Sequence, residues 1–191
     1  MRSIAALRRF ARVETGAERC ELCGAAIGER HDHLYEPAAG RLACACIACG
    51  GRFEGGGGRL VRVVTQARPI AVELDDDEWS ALAVPVALAF FLRSASGVVN
   101  AYFPGPAGTT SSPLDDGVWL ALSDLHAELP ALAPDGQAVL VSRLAGASGA
   151  WVVSIDLCYQ LAGMLRTRWR GISGGEEARA AVAAFFREVS A

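Results

Sequence analysis

Two copies of the pattern Cys-x-x-Cys-Gly lie early in the chain and constrain its fold more than any other feature. One copy contains Cys20 and Cys23, and the other contains Cys46 and Cys49. A tight turn in each copy directs two sulfurs to one side. Two such turns facing each other supply the four soft ligands of a tetrahedral zinc ion. The pattern therefore predicts a zinc-ribbon-like module that holds its metal through Cys20, Cys23, Cys46 and Cys49.

The spacer between the two copies explains how they would meet. Residues 34–36 and 41–43 favour strands, and the Pro and Gly of residues 37–40 favour a turn, so a hairpin is expected. A glycine follows each copy, at Gly24 and Gly50, where we expect a positive φ as the chain leaves the turn.

Other ligand sets and other metals fit the same residues. Cys44 is a fifth thiol two positions before Cys46, and His33 lies in the spacer, so either is an alternate ligand. Four cysteines also hold rubredoxin-type iron or an iron–sulfur cluster. The alternative to a structural zinc site is therefore an electron-transfer protein with iron at the same cysteines. Cys158 stands alone on an apolar helical stripe and is expected in the core.

Composition excludes several classes of function. All 18 basic residues are Arg, which is typical of a GC-rich genome, and the absence of Lys excludes Lys nucleophiles and Schiff bases. The 21 acidic residues give a net charge of −3, so a typical nucleic-acid binder is excluded. The longest apolar run, residues 81–92, is too short to span a membrane. Arg8 and Arg9 interrupt the only candidate signal peptide, so we expect a cytoplasmic protein with reduced thiols.

The chain divides at a run of four glycines, residues 55–58. Residues 1–54 are predicted to hold an N-terminal helix (2–12) and the cysteine module, and residues 59–191 an α+β domain. For that domain we expect a mostly antiparallel sheet with helices packed on one face, and a loop over residues 104–113. Strands are predicted at 59–64, 69–74, 86–93, 98–103, 137–144 and 150–155, and helices from Asp75, Asp115, Asp156 and Ser173.

Cys20 and Cys23, followed by His31, Asp32 and His33, are also similar to the first half of an HNH nuclease module. The second half is missing, because no Asn or His follows Cys49 closely. A water-activating metal would lack its ligands. A metal-dependent hydrolase or nuclease remains an alternative reading, and we assign no catalytic or organic-cofactor residues.

Motifs across most of the chain resemble a family of unknown function encoded beside nickel-iron hydrogenase genes of the high-affinity type. These are the two cysteine turns, His33-Leu34, Pro85-Val86-x-Leu88-Ala89-Phe90-Phe91, Tyr102-x-Pro104-x-Pro106-x-Gly108, Ile155-Asp156-x-Cys158-Tyr159 and Trp169-Arg170-Gly171. The resemblance implies an accessory role in hydrogenase maturation, assembly or electron transfer. It implies a protein partner, a hydrogenase subunit or a maturation factor. The corner that carries Arg166, Arg168 and Arg170, together with the predicted loop at residues 104–113, would form the contact surface for it.

Overall fold

The computed structural model describes residues 18–53, 58–71, 74–82, 87–127, 129–144, 146–170 and 175–190. The predicted N-terminal helix and most of the four-glycine run lie outside these residues. Within these ranges the chain forms nine strands and five helices, all strand pairs are antiparallel, and the α+β prediction is confirmed. None of these helices is long and apolar enough to cross a membrane.

The first sheet has three strands and carries the cysteine turns. Its strands are β1 (Asp32–Glu36), β2 (Arg41–Ala45) and β3 (Val61–Val63), in the order β2-β1-β3. The β1–β2 hairpin agrees with the prediction: a short 3-10 turn connects the strands, and Gly40 at φ 55° reverses the chain. Helix α1 (Ile47–Gly50) follows β2 directly. Strand β3 joins this sheet although it follows the glycine run, and the division of the chain at 55–58 stays a prediction.

The second sheet has six strands in the order β4-β9-β8-β5-β6-β7. The strands are β4 (Ala67–Ile70), β5 (Leu88–Arg93), β6 (Val99–Gly105), β7 (Gly108–Pro113), β8 (Gln137–Leu144) and β9 (Ala147–Ser154). The helices are α2 (Asp76–Ala81), α3 (Asp116–Leu125), α4 (Ile155–Arg168) and α5 (Gly175–Val189).

Helices cover both faces of the six-stranded sheet, so the prediction of helices on one face is wrong in this detail. Strand β5 is buried at five consecutive positions; Leu88 and Phe90 pack on one side with α4 and α5, and Phe91 packs on the other side with Trp119 of α3. Unbroken apolar strands, rather than alternating ones, are the sequence sign of a sheet buried on both faces. Each apolar face needs its own helices to exclude water.

The predicted loop at residues 104–113 is instead the end of β6, a two-residue turn and β7. Gly105 pairs with Gly108, whose φ of 118° closes the turn. Thr and Ser fill the exposed edge strand β7, where β-branched side chains such as those of Thr fit well. An edge strand also tolerates the missing backbone N–H of Pro113. Pro104 lies beyond the part of β6 that pairs with β5, so it interrupts no ladder there. The density of Pro and Gly therefore marked a tight hairpin.

Helix starts follow their capping residues. Asp75 caps α2 in a reciprocal capping box with Glu78, and Asp115 caps α3 by accepting from Gly117 and Val118. Helix α4 departs from this rule, because Ser154 occupies the N-cap position without a side-chain cap. Asp156 lies in the first turn instead, and its carboxylate accepts hydrogen bonds from His33 and Thr65.

The three-stranded sheet packs against helix α4. Tyr35 and Val63 belong to the same buried cluster as Ile155 and Cys158. The ring of Tyr35 meets that of Tyr159 edge to face, at 6.1 Å between centroids, and the Tyr159 hydroxyl donates to the Gly40 carbonyl. Through these contacts, one face of the cysteine-bearing sheet is covered by the body of the protein.

We expect Leu140→Ala to lower the free energy of unfolding by about 3 kcal/mol, because it leaves a cavity in the centre of the sheet. Leu140 is 0% exposed on β8, and Leu120, on the outer side of α3, is 62% exposed. Leu120→Ala is therefore the matched control and should stay within about 0.5 kcal/mol. Urea denaturation at constant zinc concentration measures both, and equal losses would contradict this core assignment.

Candidate metal centre

The first cysteine turn is closed by backbone hydrogen bonds. The amide of Gly24 donates to the carbonyl of Cys20 at 2.8 Å, and Gly24 has the expected positive φ, at 75°. Arg19 donates to the Gly24 carbonyl at 3.0 Å, and an isolated bridge pairs Arg19 with Ala26. The turn is thus held by local contacts within residues 19–26.

The second cysteine turn is the junction of β2 and α1. Cys46 is the N-cap of α1, and its carbonyl accepts the amides of Cys49 and Gly50. Gly50 does not have the expected positive φ. A Cβ at this position would overlap Oδ2 of Asp32 and lie 2.6 Å from its Cβ. Close approach of strand β1, rather than backbone conformation, is what requires glycine there.

Glu21 fastens the first turn to the edge of β2, a role that sequence analysis missed. Its amide donates to the Cys44 carbonyl at 2.9 Å, and its carboxylate accepts the Cys44 amide at 2.9 Å. These two bonds satisfy backbone groups on the free edge of the strand. They also carry Cys20 and Cys23 to the end of β2, where Cys46 follows. No sequence pattern marks Glu21, since the contact depends on where the two segments meet.

The four predicted ligands come together. The sulfurs of Cys20, Cys23, Cys46 and Cys49 all lie within 4.8 Å of one another, and those of Cys23 and Cys46 are 3.8 Å apart. A metal–sulfur bond of about 2.3 Å gives a tetrahedron with edges of about 3.8 Å, whereas a disulfide would bring two sulfurs to about 2.05 Å. The arrangement could hold a metal ion, and iron fits this spacing as well as zinc does.

The centre is asymmetric in exposure. Cys20 is 2% exposed, Cys46 and Cys49 are half-buried and Cys23 is exposed. Around Cys20 the buried side chains are only Leu34 and Ala45, bordered by partly buried Ile27, Phe53 and Leu60 among the described residues. Such a small apolar cluster offers little hydrophobic stabilisation, so cross-linking by a metal would contribute much of the folding energy of this module.

The thiols differ in acidity. The pKa of Cys20 is lowered to about 6 because backbone amides point at its sulfur. The amide of Cys46 makes the largest contribution. The pKa of Cys49 is raised to about 12, chiefly by its side-chain hydrogen bond with Cys46 and then by that with Cys23. A thiolate is the form that binds metal, and amides that point at sulfur stabilise it.

The alternate ligands Cys44 and His33 lie in a separate group with His31. The potential ligand atoms of these three residues are within 4.8 Å of one another. The two groups are the only clusters of three or more potential ligands found in the described residues. His33 and Cys44 are direct partners in the β1–β2 ladder, a register that the sequence does not reveal. The spacing of His31 and His33, two apart, was the available signal, since such positions share one side of an extended chain.

The environment of this second group is polar and anionic. Nδ1 of His33 lies 3.1 Å from Oδ2 of Asp156, and this hydrogen bond raises the pKa of His33. Burial raises the pKa of Asp156, but hydrogen bonds from His33, Ser154 and Thr65 outweigh it and leave that pKa lowered. Burial and then the charges of Glu18 and Glu21 raise the pKa of Cys44. Cys158 belongs to neither group and is buried in the core, as predicted.

Gly50→Ala should destabilise the cysteine module, because the new methyl group overlaps Asp32 and forces β1 away from α1. We expect a loss of about 1–3 kcal/mol in the free energy of unfolding. Gly51→Ala is the control: it lies next in sequence at φ −61°, with nothing within 4 Å of an added Cβ. Equal unfolding midpoints for the two variants, measured at the same zinc concentration, would show that the close approach carries no cost.

Comparison with known proteins places the chain in one family. The chain matches the family of unknown function DUF5947 over residues 19–191, which includes both cysteine turns and both sheets. No curated protein and no solved structure matches it. The match covers far more than half of the sequence, and we conclude that the chain belongs to this family of unknown function, DUF5947.

Proposed function

We propose that the chain is a non-enzymatic accessory protein whose cysteine module is folded around one structural zinc ion. The observation that carries the proposal is the convergence of four sulfurs, with Cys23 and Cys46 at the 3.8 Å spacing of a tetrahedral site. Four protein ligands leave no position for substrate or water, which is the arrangement of structural rather than catalytic zinc sites. The small apolar cluster around Cys20 supports the same role.

Among the described residues, the two cysteine turns are joined by the hydrogen bonds of Glu21, by a small apolar cluster and by hydrogen bonds to the sulfurs. A zinc ion bound to Cys20 and Cys23 on one side, and to Cys46 and Cys49 on the other, would join them directly. Sheet β1–β3 packs on α4, so a metal that orders the turns would also order the surface that the body meets. Zinc would thus supply stability and shape, and no redox chemistry.

The accessory role in nickel-iron hydrogenase maturation or assembly rests on the resemblance of the quoted motifs. A partner-binding role is also consistent with the end of α4, where Arg166, Arg168 and Arg170 are exposed. Arg170 donates to the carbonyls of Thr167 and Trp169, which holds it against the helix end. Cations at a helix C-terminus are stabilised by the helix dipole, and they would face an acidic surface on a cytoplasmic partner.

Metal analysis tests the zinc assignment. We expect Cys23→Ser to remove one equivalent of zinc from protein purified without air, because a neutral hydroxyl is a poor zinc ligand. Cys23 is exposed, so the substitution disturbs packing little. Cys158→Ala removes a thiol that belongs to neither group and should leave the zinc content unchanged. Elemental analysis gives the zinc content, and circular dichroism checks folding.

A visible spectrum of the same preparation separates zinc from iron. A colourless protein with zinc supports the proposal. Stoichiometric iron with absorbance above the protein band, lost in Cys23→Ser, would overturn it and establish the electron-transfer alternative.

The partner assignment is tested in cells that express a high-affinity nickel-iron hydrogenase. We expect the tagged protein to co-purify with a hydrogenase subunit or maturation factor, and Arg166→Glu/Arg170→Glu to reduce the yield at least tenfold through charge repulsion. Arg187→Glu, on the outer side of α5, is the control for added negative charge. Absence of any hydrogenase protein from the wild-type eluate would contradict the role.

A further inference from the structure

His31, His33 and Cys44 present three metal-binding atoms to one another at the boundary between the cysteine module and the body. Their potential ligand atoms are within 4.8 Å of one another, against edges of about 3.3–3.8 Å in a zinc site with nitrogen and sulfur ligands. The two imidazole rings meet edge to face, with centroids 4.8 Å apart. Small side-chain rotations would bring the three atoms onto one ion.

The hydrogen bonds of the two histidines leave one nitrogen of each ring available. Nδ1 of His31 lies 2.8 Å from the Gly28 carbonyl, and Nδ1 of His33 lies 3.1 Å from the Asp156 carboxylate. Both partners accept only, so each Nδ1 carries a proton and each neutral ring keeps its lone pair on Nε2. Metal-binding histidines are oriented in this way by a carbonyl or carboxylate on the second nitrogen.

The buried, unpaired Nε2 atom of His31 is the feature that points to a ligand. The His31 side chain is 9% exposed, and its Nε2 is buried without a hydrogen-bond partner among the described residues. An unpaired polar atom in such a place costs about 1–3 kcal/mol. A bound metal ion would satisfy this nitrogen.

This group is separate from the four cysteines because the two lie on opposite faces of the same sheet. Leu34 and Ala45 alternate with His33 and Cys44 along the strands and pack around Cys20. Strand neighbours point to opposite faces, so His33 and Cys44 point toward α4, where Asp156 lies. Cys44 therefore cannot replace Cys46 in the first site without reversing the strand.

The charges around the group suit a cation. Asp156, with its side chain 5% exposed, accepts from His33 and from Thr65, and Glu18 lies 3.9 Å from Nδ1 of His31. Two imidazoles and a thiolate select transition metals of borderline softness and disfavour calcium and magnesium.

We propose that His31, His33 and Cys44 form a second zinc site, distinct from the four-cysteine centre, with three protein ligands and a fourth position open to water or an exchangeable ligand. Asp156 is its positioning residue, because it fixes the ring of His33 from the first turn of α4. Three-ligand zinc sites are those that exchange ligands or activate water, so this site has chemistry that the first lacks. This second site is separate from the structural zinc and needs no hydrogenase partner.

The test counts zinc equivalents on the full chain by equilibrium dialysis at buffered free zinc, followed by elemental analysis. Wild-type protein should bind two equivalents. His31→Ala and Cys44→Ala should each bind one, and the retained equivalent shows that the four-cysteine centre is still folded. His126→Ala and Cys158→Ala are matched controls from outside both groups and should bind two. Asp156→Asn should keep both equivalents and weaken the second about 10–100-fold.

Cobalt identifies the ligands independently of affinity. The second cobalt equivalent should add a thiolate-to-metal absorbance band in wild type, and this added band should be absent in Cys44→Ala. A wild-type protein whose only equivalent is lost in Cys23→Ser would overturn the second site, as would a second equivalent retained at equal affinity in both His31→Ala and Cys44→Ala. A wild-type protein whose only equivalent survives Cys23→Ser and is lost in Cys44→Ala would instead contradict the structural zinc and leave the second site standing.

Discussion

The antiparallel pairing of β1 with β2 is the contact on which the rest of this arrangement depends. It sets His33 opposite Cys44 on the face toward α4, and it brings Cys46 to the strand end where Glu21 has fastened the first cysteine turn. A shift of one residue in this register would move every side chain of the strand to the other face. The pairing therefore positions both groups of ligands, although only His33 and Cys44 lie within the paired strands.

Features that depend on neighbouring residues were predictable, and features that depend on distant ones were not. The cysteine turns, the β1–β2 hairpin and the helix starts at Asp75 and Asp115 depend on short stretches of sequence, and they agree with the structure except for the φ of Gly50. Covering of both sheet faces, the strand at Gly108–Pro113 and the roles of Glu21 and Asp156 depend on which segments meet. Two of these features had sequence signals that our predictions did not use. The unbroken apolar residues of β5 indicated burial on both sheet faces, and the closely spaced Pro and Gly between β6 and β7 indicated a tight hairpin turn.

The two groups of ligands in this small sheet suggest two different roles for bound metal. Four thiols around a minimal apolar cluster resemble a cross-link, for which tight and permanent binding is an advantage. A thiol with two imidazoles, oriented by a buried carboxylate from another part of the chain, resembles a site that can gain and lose a ligand. Under the proposed accessory role, the first group would serve as a scaffold and the second as the site that exchanges ligands.

The hydrogen bond between His33 and Asp156 spans 123 residues of sequence, and this separation imposes an order on synthesis. All four cysteines of the first centre have been synthesised by residue 49. Asp156 emerges later, after about 5–20 s of further translation at common rates. The nascent module can therefore close its cysteine turns while the imidazoles still lack their orienting carboxylate. Co-translational folding would thus give the four-thiol centre a period in which the second group, without its orienting carboxylate, binds metal about 10–100-fold more weakly.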